Sequence, residues 1–231
     1  AMTNRGVMVL ISSRLEARLA RTGDKAIPGP RGRGLRLNFQ SGARVVAVYG
    51  VAGADADEAP KGEEMEPAAQ RKELADWVAA QVEHAGATIV LGDFNTVGTG
   101  RDRLQKVREE ARFGMNDKDQ SPDSLVHVCA EAGMVDLWRQ AHEEVVCCTH
   151  SRYDSSKGEE PESFCGARLD MIWGDELAAR AVRRVGVEPR RRSALRAMDH
   201  RAVVARLEDH SIFEGDGMGG DEVEMAKAFP N

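Results

Sequence analysis

The sequence predicts a layered protein that mixes strands and helices, α/β or α+β. Short apolar runs rich in β-branched residues recur along the chain, some joined by tight turns and some by segments of helical period. One such segment, 65–86, places Leu74, Trp77, Val78 and Val82 at helical spacing between two strand-like runs. The apolar run 89–91 ends in Gly92-Asp93-Phe94-Asn95, so a buried strand delivers an acid and an amide at its tip, where open α/β sheets present chemistry.

Residues 6–12 form an apolar, β-rich run and are expected as the first strand. Residues 14–20 alternate charged and small residues, which suits a short helix or that strand's ragged end. Gly, Pro and Arg collect in 22–34, a loop. Residues 35–39 alternate apolar and polar, Ser41 and Gly42 turn, and 44–49 return, so a hairpin is expected. Residues 50–64 are small and acidic, a surface loop. The helix of 65–86 tolerates Pro67 in its first turn, ends at Gly86 and hands over to a strand at 88–91. Residues 98–119 are polar, with a helical piece expected at 104–112. Ser121 and Pro122 open a helix that turns Leu125, Val128 and Cys129 inward and ends at Gly133. A short apolar segment follows at 134–138, then a strand at 145–150 and a charged loop at 154–162. A strand at 167–173, a helical turn at 176–179 and strands at 182–187 and 201–207 complete a domain set at 1–210. Residues 211–231, rich in Gly and acid, are expected to be a disordered tail.

One substantial domain with a complete core fits the 231 residues, of which 42% are hydrophobic and 30% charged. No apolar run approaches a membrane span. The cysteines at 129, 147, 148 and 165 form no CxxC pair, and His150 beside Cys147 and Cys148 reads as part of a strand rather than half a zinc site. Free thiols point to a reducing, intracellular setting, nuclear or cytoplasmic. A net charge of −6 argues against a protein that coats nucleic acid indiscriminately, yet leaves room for a nuclease with a local basic groove. The arginines of 180–196 fit either a solvated surface or a phosphate-contacting face.

Two further motifs follow the first: Ala167-Arg168-Leu169-Asp170-Met171-Ile172-Trp173 and Met198-Asp199-His200-Arg201-Ala202-Val203. Each has a plain reading, Asp93 and Asn95 as turn formers and Asp199 with His200 as a capping pair. An aspartate inside the apolar strand 167–173 is costly unless partnered, so Asp170 asks for a histidine or a metal. Tyr49, closing Val-x-Val-Tyr, is a common strand residue.

In this order the motifs resemble the endonuclease/exonuclease/phosphatase superfamily, above all its exonuclease III-like and retrotransposon endonuclease members. The resemblance spans roughly residues 6–208. It implies a four-layer α/β-sandwich with two mixed β-sheets packed face to face, helices outside, and the first strands missing. It implies a divalent-metal-dependent phosphodiester hydrolase, foremost a DNA-cleaving endonuclease domain, with Mg2+ or Mn2+ as cofactor and DNA as partner. By the same resemblance Asp93 orients or deprotonates the attacking water and Asn95 donates its amide to phosphate. His200 binds a non-bridging oxygen and Asp170 holds its imidazole. Asp199 lies next to the metal, Tyr49 contacts phosphate, and Arg168 contacts substrate. Residues 132–139 resemble a connecting segment of the family, with Asp136 and Arg139 read as structural.

The family's opening strands, with a site asparagine and a metal-binding glutamate, have no counterpart here. Asn4 and Glu16 are the nearest residues of the right type, and neither stands in the right context. Met198 replaces a customary serine. Two rivals follow: a phosphatase or phosphodiesterase acting on other phosphate esters, and a catalytically inactive remnant.

Overall fold

A six-stranded mixed sheet carries the fold in the computed structural model, which describes residues 7–21, 25–52, 66–107, 110–153, 163–188, 200–207 and 211–213. After a single-turn helix α1 (Ser13–Glu16), capped by Ser12, come β1 (Ala26–Pro28), β2 (Gly34–Asn38) and β3 (Arg44–Tyr49). Helix α2 (Pro67–Val82) crosses to β4 (Thr88–Asp93), making β3 and β4 the parallel pair of the sheet. Strands β5 (Arg103–Val107) and β6 (Glu110–Phe113), helix α3 (Leu125–Glu131), β7 (Val135–Asp136) and α4 (Leu137–Ala141) follow. The chain then adds β8 (His150–Tyr153), β9 (Ser163–Ala167), β10 (Asp170–Gly174), α5 (Glu176–Ala181), β11 (Val182–Val187) and β12 (Val203–Leu207). The main sheet runs β1-β2-β3-β4-β10-β7; β11 and β12 make a ribbon, and β6-β5-β9-β8 a separate antiparallel sheet.

Strand alternation sorts the main sheet into two faces. Val46, Val48, Val90, Met171 and Trp173 point to one side and pack on Leu74 and Val78 of α2 and on Leu125, Val126 and Cys129 of α3. Helix α2 presents this apolar stripe because Leu74, Ala75 and Val78 share a face, and Pro67 fits its first turn. Val45, Ile89, Leu91 and Ile172 point to the other side, against Val185, Val187, Val203 and Ala205 of the ribbon. Burying a valine such as Val46, Val78 or Val90 completely, as here, contributes about 1.5–3 kcal/mol each.

Helix, mixed sheet and facing strands thus layer as the sequence implied. The facing sheet is an antiparallel ribbon among the described residues, and helices α4 and α5 pack beside its strand β11.

Four local expectations are corrected. Residues 7–12 turn Val9 and Ile11 inward and leave Met8 and Leu10 80% and 84% exposed, the alternation of a strand, but no described ladder receives them. The helix expected at 104–112 is the β5–β6 hairpin, because pairing of β5 with both β6 and β9 overrides the helix preference of Gln, Lys, Arg and Glu. The strand expected at 145–150 begins only at His150. The domain does not stop at 210: Phe213 is buried with its ring 4.7 Å from that of Phe39, and Ser41 Oγ donates to the Ile212 carbonyl at 2.6 Å. The rest of the tail, the loops 53–65 and 154–162, and the arginines of 189–196 lie outside the described residues. Among the described residues no helix is long and apolar enough to cross a membrane.

Candidate active site

Tyr49, Asp93 and Asp170 stand in one row across β3, β4 and β10, since Tyr49 is paired with Asp93 and Asp93 with Asp170. All three follow the phase of Val45, Ile89, Leu91 and Ile172, so the row continues the face that meets the ribbon and emerges where the inter-sheet core runs out. Backbone contact fixes its middle member. A Cβ on Gly92 (φ 139°) would fall 2.0 Å from the Val48 carbonyl oxygen, and one on Gly50 would fall 2.1 Å from that of Phe94. Glycine alone allows the two strands to close this tightly beside the acid.

Asn95 sits at φ 53°, a left-handed conformation that asparagine tolerates, and this turns its side chain back over the strand end. Its backbone N–H donates to Asp93 Oδ1 (2.9 Å); its Nδ2 donates to the Gly50 carbonyl (2.9 Å) and to Asp93 Oδ2 (3.2 Å). Asn95 is 9% exposed and holds Asp93 rather than offering a free amide to solvent. Burial pushes the Asp93 carboxyl up from 3.8 to about 6; the Asp170 charge adds to the rise, while the Asn95 amide, His200 and Lys118 oppose it.

His200 closes the site from the other side. Its Nδ1–H donates to Asp170 Oδ2 at 2.8 Å, which fixes the tautomer and leaves Nε2 facing Asp93 Oδ2 at 4.0 Å. That gap exceeds a direct hydrogen bond and suits an oxygen atom lodged between the two groups. Thr149 ties the halves together. Its buried Oγ1 accepts from the backbone N–H groups of Leu169 and Asp170, both at 3.0 Å, and its carbonyl accepts from Arg201 N at 2.7 Å. The His150 ring packs on the His200 ring at 4.7 Å.

Asp93, Asn95, Asp170 and His200 therefore lie together at one end of the main sheet, with Tyr49 one strand away, its ring 5.4 Å from the Arg33 guanidinium. Asp199 lies outside the described residues. Arg168 is a correction. It is 1% exposed and clamped by Asp102 (Nε–Oδ1 2.8 Å) and Asp136 (Nη2–Oδ2 2.5 Å), so it cannot reach substrate. Arg139 pairs with the same Asp102, and both arginines stack near the Trp138 ring. Burial would push Asp102 up, yet the two guanidinium groups hold it below 3.8. Asp136 and Arg139 thus take the structural parts read for them. Glu16 lies in exposed α1, beside the turn that joins β2 to β3, at the opposite end of the sheet from Asp93.

Sequence reasoning missed Thr149, Arg33 and Lys118. None carries a motif, because each acts through tertiary contacts between distant segments. A groove of about 800 Å³ lined by Thr99, Arg101, Phe113, Arg139 and Glu144 opens elsewhere and contains none of the site residues.

The chemistry of the donor set tests the fit of a divalent cation. Magnesium wants octahedral oxygen ligands with near-ideal geometry. Asp93 has both oxygens turned to Asn95, and Asp170 is occupied by His200. Among the described residues no three His, Cys, Asp or Glu side chains group as a metal site. These residues do not by themselves make a cation cage.

No family model matches the sequence, and no curated protein matches it. Solved structures do. A 3'-5' exonuclease (NExo) from Neisseria meningitidis is 25% identical with a TM-score of 0.56, over 77% of this chain and 66% of that one. The same Neisseria protein, described as a 3' phosphatase bound to a product DNA hairpin, matches with the same identity and TM-score over 78% of this chain and 66% of that one. An AP endonuclease from Archaeoglobus fulgidus is 18% identical with a TM-score of 0.57, over 80% of this chain and 70% of that one, a likeness of fold alone. The chain thus spans about two thirds of the length of these structures. These neighbours are members of the endonuclease/exonuclease/phosphatase superfamily, and the chain shares their fold.

Proposed function

We propose that the chain forms the catalytic part of a divalent-metal-dependent phosphodiester hydrolase whose substrate is DNA, cut internally. One observation carries the reading: Asp93 and the Asp170–His200 pair face each other across 4.0 Å at the ends of adjacent strands. Hydrolysis of a phosphodiester needs a water to lose a proton and the phosphoryl oxygens to be stabilised. With its carboxyl raised to about 6, Asp93 is ionised near neutral pH yet more basic than an exposed aspartate, which suits it to take a proton from the attacking water. His200, held through Nδ1 by Asp170, aims Nε2 at the same space and donates to a non-bridging oxygen when protonated. Asn95 keeps the Asp93 carboxylate in place and can exchange its longer bond, 3.2 Å, for one to the phosphate. Tyr49, one strand over, contacts the phosphate flank.

A bound magnesium or manganese ion would supply Lewis-acid polarisation of the phosphoryl oxygens. Its ligands must include groups beyond those described, with Asp199 the nearest candidate in sequence. None of the steps above runs through it. Three described cysteines are unbridged, in keeping with a reducing intracellular compartment, nuclear or cytoplasmic.

Nicking of supercoiled plasmid by the 231-residue chain, with and without magnesium, tests this beside His200→Ala and Asp93→Asn. Metal-dependent nicking lost in both variants is expected. No nicking by the folded chain would sink the endonuclease reading. A second reading keeps the site and changes the ester: removal of a 3' phosphate from DNA, favoured because one Neisseria neighbour is described both as a 3'-5' exonuclease and as a 3' phosphatase. Release of inorganic phosphate from a 3'-phosphorylated oligonucleotide, without nicking, would select it.

A further inference from the structure

Lys118 is held against the site by a neighbour and is bonded to none. It lies in the 3-10 turn Asp117–Asp119, far from Asp93 in sequence. Asp119 fastens that turn. Its buried carboxylate accepts from the backbone N–H of Val97 at 3.0 Å, from Asn116 N at 2.8 Å and from Arg103 Nη2 at 2.8 Å. Val97 belongs to the loop that leaves β4 through Asp93, Phe94 and Asn95, so the latch carries Lys118 to the same strand end. There its ammonium interacts electrostatically first with the Asp119 carboxylate of its own turn and also with Asp93, with Arg103 and Arg71 as cationic neighbours.

The Lys118 side chain is half-buried, and none of its described neighbours hydrogen-bonds to its ammonium or approaches within ion-pair distance. Burial pulls its pKa below the ordinary lysine value. Asp119 and Asp93 compensate part of the charge from a distance, and a partly desolvated ammonium with no bonded partner among the described residues gains from an anion that meets it directly. The mouth it borders otherwise shows two carboxylates, Asp93 and Asp170, on a chain of net charge −6. A phosphate approaching that mouth needs a compensating positive charge.

We propose that Lys118 is a phosphate-binding residue of this site, its ammonium taking an oxygen of a substrate phosphate beside the Asp93–His200 gap. The inference rests on the phosphoester reading above, although not on which ester is cut. The alternative role, neutralising Asp93 within the protein, needs no substrate and predicts no change in ligand binding.

The test measures binding of a fluorescein-labelled DNA duplex by anisotropy in EDTA, where nothing is cut, at several NaCl concentrations. The proteins are the full chain, Lys118→Gln, Lys118→Arg and, as a remote control, Arg180→Gln from the exposed pair with Glu176. Loss of one phosphate contact lowers the slope of log affinity against log salt by about 1 and weakens low-salt binding roughly 3–10-fold. This is expected for Lys118→Gln, with recovery in Lys118→Arg and no change in Arg180→Gln. DNA binding with an unchanged slope in Lys118→Gln overturns the proposal while leaving a DNA-directed enzyme standing. If the wild-type chain binds no DNA, inorganic phosphate is the second probe, read as a rise in Tm. A rise in wild type that is lost in Lys118→Gln keeps the proposal and removes DNA as substrate; equal rises, or none in either, overturn it.

Discussion

Replacing Asp93 by asparagine should stabilise the protein, and by an amount that depends on pH. The carboxyl is 15% exposed and raised from 3.8 to about 6, chiefly by burial. Below 3.8 it is protonated in both the folded and the unfolded chain and nothing is lost. As pH rises through that value the unfolded chain releases the proton while the folded chain retains it, so stability falls until the folded group also ionises near 6. At about 1.4 kcal/mol per pH unit, the full loss is ~3 kcal/mol. Asparagine removes the charge and can still accept from Asn95 N through Oδ1, keeping the bond now at 2.9 Å. Urea unfolding of wild type and Asp93→Asn in EDTA, in steps from pH 4 to 7.5, should show the variant gaining ~1–3 kcal/mol relative to wild type across that window. Acid effects elsewhere cancel in the difference. A difference that stays flat with pH would refute the claim that burial of this carboxylate is uncompensated. The same experiment with magnesium should reduce the gap if a cation comes to share the charge.

Three other outcomes follow from contacts already described. Asp170→Asn frees the His200 Nδ1 tautomer, so whichever ester proves to be cut, kcat should fall by about 10²–10⁴ with little change in KM. Asp102→Asn leaves buried Arg168 with Asp136 as its remaining carboxylate and should cost about 3–5 kcal/mol in chemical unfolding, whereas loss of the exposed Lys72–Asp76 pair should leave the unfolding curve almost unchanged. Gly92→Ala must push β3 from β4 at the 2.0 Å contact, and a drop of well over 1 kcal/mol, with activity lost, is expected; a near-normal Tm would show that the strands give way easily.

How much of this was legible in the sequence depends on the range of the interaction. Strand alternation and helical period report local burial, so the β2–β3 hairpin, α2 and the strands expected at 88–91 and 167–173 could be read directly, although the second is broken at Arg168 and Leu169 and β10 begins only at Asp170. The Gly-Asp-x-Asn tip was legible because glycine, acid and amide all act within a few residues. The β5–β6 hairpin was not, since its residues favour a helix until β9 pairs with them. Nor was the place of Arg168. An arginine before a site aspartate reads as a substrate contact, and only the arrival of Asp102 and Asp136 from distant segments makes it an internal strut. Thr149 and Lys118 escaped for the same reason: a buried hydroxyl or a latched turn leaves no periodic mark on the chain.

The glycine contacts under Asp93 have a mechanical consequence. Where side chains separate two strands, small rotamer changes let the backbones slide; where a carbonyl oxygen lies against a glycine Cα, that compliance is gone. Asp93 is therefore the stationary jaw of the site. His200 is held by side-chain contacts to Asp170 and His150 and by an isolated bridge to His150 rather than by a strand ladder, and is the jaw less firmly tied among the described residues. Amide hydrogen exchange should be slowest along the Val48–Gly92 contact and much faster at Arg201, whose N–H bonds to the Thr149 carbonyl. Any closing of the 4.0 Å gap around a substrate is then motion of the imidazole toward a fixed acid.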